Sequence, residues 1–227
     1  MPRTITKFLD FEKMTRVPGS GAICALAMVY NDLLTINWAL GRFNELKASL
    51  PGYMHQGMRM YFSRIHNGHL VEGLKAVQNI RGNSKLRGFV GECSSNAQEA
   101  FETLCRCLPG GTDAPDFGRY VVQVRNRVAF HCDDSYLRWA VNNRATRANA
   151  SRSTLTAGGT VASNRFEFVD DLLDTVVCRK VWKIREGVDR RTEADRIGAW
   201  CDQKVREYLR FAGEFVDVAL KKLGLLY

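Results

Sequence analysis

TEADRIGAWCDQKVREYLRFAGEFVDVALKKL, Thr192–Leu223, sets Ile197, Trp200, Val205, Tyr208, Leu209, Phe215, Ala219 and Leu223 mostly three to five residues apart. That recurrence matches an α-helix, whose neighbours three and four apart share a face, and not a strand, whose period is two. With no proline inside it, the stretch predicts one long C-terminal helix with a single apolar side. Such a side has to be covered by other elements, and the chain upstream supplies them in the same idiom.

From Ser20 to Leu50, Ile23, Ala27, Tyr30 and Leu34 form one stripe, which Leu33, Leu40 and Phe43 widen enough to predict deep burial, and Pro51-Gly52 ends the run. Met58, Phe62, Leu70, Leu74 and Val77 mark a second helix over roughly His55 to Ile80. Residues 81–96, with scattered Gly, Asn and Ser, read as a loop. Ser94 or Ser95, with Gln98 or Glu99 three to five residues on, suits the cap of a short helix that Pro109-Gly110-Gly111 closes. Phe117, Tyr120, Val121, Val124 and Val128 trace another helical face, and Ser135 to Arg144 continues it after a break at Asp133-Asp134. Residues 148–164 are small and polar without a period, which predicts a mobile surface loop. Phe166 to Trp182 resumes the stripe with Val169, Leu173, Val176 and Val177. Without strand pairs or internal repeats, the pattern predicts an all-α bundle of about five to seven helices, one domain over residues 1–227.

The chain carries a formal charge of +9, with 23 arginines against 10 lysines. Residues 119–152 hold seven Arg against only Asp133 and Asp134. An Arg-biased basic surface suits phosphate-bearing partners. The opening residues lack the apolar run of a secretion signal, and no window approaches about 18 consecutive apolar residues, so the expectation is a cytoplasmic chain without a membrane partner. Seven cysteines at irregular spacing fit reduced thiols rather than a disulfide framework. His66 and His69 lack the partners of a metal site, Cys105 and Cys107 lack the spacing of a zinc knuckle, and Gly158-Gly159 lacks the lysine of a phosphate loop. No metal and no cofactor is expected.

The chemistry concentrates in Arg125-Asn126-Arg127-Val128-Ala129-Phe130-His131. Arginine holds phosphate through a fixed fork of donors, and histidine is the side chain that ordinarily titrates near neutral pH. Arg59 with His66, and Arg64 with His69, have comparable spacing, but an apolar residue follows each of those arginines, whereas polar Asn126 follows Arg125. An arginine, a polar residue and an apolar run ending in histidine resembles the signature of the HEPN superfamily.

That resemblance implies a helical bundle with the motif on a central helix, a homodimer, and metal-independent cleavage of RNA by attack of the 2′-hydroxyl on the adjacent phosphorus. It assigns His131 as general acid or base, Arg125 to the charge on the phosphoryl oxygens, and Asn126 to the phosphate or to His131. On an ideal helix Arg125 and His131 do not share a face, so two chains would complete one site. Arg127, four residues before His131, does share its face and can take the clamping role. Arg138, Arg144 and Arg147 would guide the RNA backbone. The family context adds a toxin or defence role, with an antitoxin or regulatory protein as a further partner. A non-catalytic helical RNA-binding or dimerisation module is the alternative, and an ion-paired helix face with Asp133 or Asp134 is the plain reading of Arg125 and Arg127.

Overall fold

A computed structural model of the chain describes residues 7–50, 52–129, 133–146 and 166–226. Within them the fold is all-α: α1 Phe11–Met14, α2 Ser20–Leu46, α3 Gly52–Gly82, α4 Ser84–Val90, α5 Ser95–Cys105, α6 Ala114–Phe117, α7 Asp134–Ala145, α8 Glu167–Thr175 and the long C-terminal α9 Arg190–Lys222. Three stretches are wound as wider π-helix, π1 Gly118–Val122, π2 Arg125–Ala129 and π3 Val176–Val181. Leu9 and Leu226 form an isolated antiparallel bridge, and among the described residues no strand forms. The expected 148–164 loop lies outside the described residues.

Two compact units emerge, one from residues 1–34, 72–114 and 203–227, the other from 35–71 and 115–202. Helices α2, α3 and α9 each run through a boundary between the two sets.

In the first unit α9 supplies the centre. Tyr208, Phe211 and Phe215 are fully buried, with Phe101 of α5 4.9 Å from Phe211 and Phe215 5.1 Å from it on the other side. Tyr208 Oη donates to the Leu26 carbonyl of α2 at 3.0 Å, which satisfies the one polar atom of that ring inside the core. Its ring lies so near Gly73 of α3 that a Cβ there would stand 2.5 Å from Cε2. Ser94 caps α5, its Oγ accepting from Ala97 N at 3.4 Å, while the hydroxyl and backbone N–H of Ser94 both donate to Glu214 of α9. Lys204 is buried and pairs with Asp113 at 2.6 Å.

Residues 81–96 are not the expected loop. Asn83 accepts from Leu86 N at 3.1 Å and starts α4, whose Leu86 and Val90 are buried. The helix is about two turns long, with Gly88 in its last turn and Gly91 after it, too short to show a period. The α2 stripe is also displaced. Ile23, Leu26, Val29 and Leu33 are the buried row, whereas Leu34 is 43% exposed and Met28, Trp38 and Leu46 more so. By length and composition α2 would also pass as a membrane-crossing segment. In α9, Cys201 and Phe211 join the buried row, while Trp200, Leu209 and Leu223 flank it.

In the second unit the expected row Phe117, Tyr120, Val121, Val124 and Val128 is buried in full. Tyr120, Val124 and Val128 recur every four residues, which suits the wider i→i+5 turn of π-helix. Trp182, at the end of π3, donates from Nε1 to the Tyr120 carbonyl at 3.2 Å, and Tyr120 meets Trp200 of α9 edge-on at 5.7 Å. Arg119 donates to the carbonyls of Trp182 and Lys183, and Arg179 to that of Ile184 at 3.2 Å. These cations sit where the end of π3 leaves its carbonyls exposed, the favourable end of the helix dipole. Lys183 closes the helix with φ of 56°, the left-handed conformation usually given to glycine.

Candidate nucleic-acid interface

Asp133 is the N-cap of α7, its Oδ1 accepting from Ser135 N at 3.1 Å and from Ser135 Oγ at 2.5 Å. Those hydrogen bonds hold its carboxyl below the usual carboxylate range, with the Ser135 hydroxyl the largest influence and Arg127 a further one. The other oxygen of Asp133 takes Arg127 Nη1 at 2.9 Å. The break between the two helical runs is therefore a cap, and the cap aims an arginine.

Arg127 so held lies over the ring of Tyr136, with its guanidinium carbon 5.2 Å from the centroid. From π3, Lys180 Nζ reaches the same ring at 5.7 Å and the ring of Trp139, three residues further along α7, at 5.1 Å. Tyr136 and Trp139 share a helix face, and both are half-buried. Trp139 is thus not a core residue. Cations within about 6 Å of a ring face are attracted by its quadrupole, at about 0.5–1 kcal/mol for exposed sites. The product is two aromatic rings one turn apart with two cations seated on them.

The remaining motif residues are placed as follows. Arg125 is partly buried and donates from Nη1 to Asn126 Oδ1 at 3.0 Å, and Asn126 is exposed. Both begin π2, so the angle between positions 125 and 131 taken from an ideal α-helix does not apply to this turn. His131 and Arg147 lie outside the described residues. Arg138 pairs with Asp134 at 2.6 Å with both side chains largely exposed, and Arg144 pairs with Asp171 of α8 at 3.3 Å with both mostly buried. Exposed pairs of the first kind contribute little, so phosphate can replace Asp134 at Arg138. Arg144 instead ties α7 to α8.

Lys180 is the residue that sequence reading missed. It follows Trp139 by some forty positions, across a segment without a period, and no local spacing links the two. The only sign was that Tyr136 and Trp139 interleave with the arginines of 119–152.

Among the described residues no group of three or more His, Cys, Asp or Glu side chains is arranged to hold a metal ion. The six described cysteines are free thiols; burial pushes Cys93, Cys105 and Cys107 up to about 11 and Cys178 up to about 12. The thiolate population of these four at neutral pH is therefore small, which argues against their nucleophilic use. His66 is 7% exposed, and burial brings its imidazole down to about 4.

Comparison of the chain with protein-family models, with curated proteins and with solved structures found no match.

Proposed function

We propose that the chain is a helical RNA-binding protein whose contact surface is α7 with the flanking π2 and π3 turns. The observation that carries this reading is the pair of half-buried rings, Tyr136 and Trp139, flanked by Arg127 and Lys180. Single-stranded nucleic acid is bound by this combination, in which aromatic faces stack bases of any sequence and nearby cations follow the phosphates. Arg138, held by a solvent-exposed ion pair, extends the basic track along α7. RNA, rather than DNA, is the ligand implied by the HEPN-like motif next to this surface. The test is fluorescence anisotropy of a labelled unstructured oligoribonucleotide, with the matching deoxyoligonucleotide alongside. Saturable RNA binding that weakens with salt supports the reading, and binding of neither oligonucleotide, or of DNA alone, defeats it.

A second reading, metal-independent endoribonuclease, is favoured by one feature of π2. The Arg125 guanidinium is tethered to the Asn126 amide, and π-helical turns frequently accompany functional sites. In this reading Arg125 stabilises charge on the phosphoryl oxygens, Asn126 orients it, His131 transfers the proton, and a homodimer in the cytoplasm completes the site. Incubation with RNA in excess EDTA decides it. Cleavage lost in His131→Ala and Arg125→Ala with binding retained supports the enzyme; binding without cleavage from pH 5 to 8 leaves the binding module.

A further inference from the structure

Arg64 and Asn67 stand three residues apart on α3 and share a face. Arg64 Nη1 donates to the Val128 carbonyl at 3.4 Å, which brings that face against π2, where Arg125 lies three residues before Val128. Asn67 is 2% exposed, and its amide nitrogen has no acceptor among the described residues; the Nε of Arg64 is buried and equally without one. Native proteins leave few such donors unanswered, and each one points to a group that belongs there. Both atoms are N–H donors, one on a permanent cation, so the missing group is an acceptor and is favoured if anionic. Water is a weaker answer, because it brings two hydrogens of its own into a space already rich in donors.

We propose that the face of α3 turned to π2 binds a phosphate oxyanion, with Asn67 Nδ2 and Arg64 Nε as its donors. The neighbouring His66 is no part of it. One residue before Asn67, it shares a helix face with buried Phe62 and Leu70, one turn to either side, and burial keeps it neutral. Arg64 is only partly buried, so a phosphate can reach it from solvent. The oxyanion can come from an RNA backbone or from free phosphate, and the site stands whether or not the α7 surface binds RNA.

The experiment is thermal melting of the full chain in inorganic phosphate against chloride at equal ionic strength, repeated with a short oligoribonucleotide lacking terminal phosphates. Wild type should melt higher in phosphate, saturably, because a ligand that binds only the folded state stabilises it by mass action. Asn67→Leu, close in volume and without the donors, should melt no lower than wild type in chloride and bind phosphate at least about tenfold more weakly, the effect of one lost charge-assisted hydrogen bond. Arg64→Met gives the same comparison should Asn67→Leu fail to fold. Stabilisation by the oligonucleotide that competes with phosphate identifies the RNA backbone as the source, and stabilisation by phosphate alone identifies the free ion. No saturable stabilisation of wild type, or the same increment in both variants, overturns the proposal and leaves water as the occupant.

Discussion

Replacing Gly73 by alanine tests the packing at the centre of the first unit. An added methyl would stand 2.5 Å from Tyr208 Cε2, 2.8 Å from Cζ and 3.1 Å from Cδ2. Carbon atoms rest at about 3.5–4.0 Å, so ring or helix has to yield by about 1 Å. The ring has little freedom to do so, since Tyr208 is fully buried and its hydroxyl is tied to the Leu26 carbonyl at 3.0 Å. Overpacking of this kind costs about 1–3 kcal/mol. Against it stands the gain of about 1 kcal/mol that alanine brings over glycine inside a helix. The net expectation is a loss of about 0–2 kcal/mol, read by urea denaturation followed by circular dichroism. In a Tyr208→Phe background the ring is no longer anchored, so Gly73→Ala should cost less there, a coupling that a double-mutant cycle measures directly. A stabilisation of about 1 kcal/mol in the single variant, as at an open helix position, would refute the close approach of α3 to α9.

Two further outcomes follow from buried ionisable groups. His66 binds its proton less readily folded, near 4, than unfolded, near 6.5, so the unfolded chain holds more protons between those values and stability falls as pH drops through that window, by about 3 kcal/mol in all. Denaturation midpoints measured from pH 7 to 4 should show this slope in wild type and not in His66→Phe. Asp113→Asn removes the charge facing the buried Lys204, at 2.6 Å in the native pair, and should cost about 3 kcal/mol by the same denaturation assay, because an ammonium is left in the interior without its carboxylate; a cost below 1 kcal/mol would mean that the pair is more solvated than its burial implies.

The all-α character was legible because burial on one side of a helix imposes a period that side-chain chemistry alone reveals. The row from Phe117 to Val128 is buried as read, and Ser94, one of the two serines the pattern offered, caps α5. The phase of α2 was not legible. That helix is apolar on more than one side, so Leu34 and Leu33 are equivalent until a partner selects the row through Ile23, Leu26, Val29 and Leu33. Short α4 was hidden for a different reason. It depends on a cap and on Leu86 packing beneath Gly19, where a Cβ would lie 2.8 Å from Leu86 Cδ1, a contact between residues far apart in the chain. The same distance in sequence hid Lys180 from Tyr136 and Trp139. Spacing drew attention to the arginines, whereas geometry divides them: Arg127 is aimed by Asp133 onto a ring, Arg138 lies on an exposed pair, and Arg144 ties two helices together.

The central claim is that half-buried rings on α7 stack RNA bases beside Arg127 and Lys180. The most direct measurement is the affinity of an unstructured oligoribonucleotide for wild type, Tyr136→Ala, Trp139→Ala and Lys180→Gln, with folding of each checked by circular dichroism. Stacking is worth about 1–3 kcal/mol per base, so each ring variant should weaken binding by roughly 5- to 150-fold, and Lys180→Gln should weaken it while also flattening its dependence on salt. Folded ring variants that bind RNA as tightly as wild type would contradict the account.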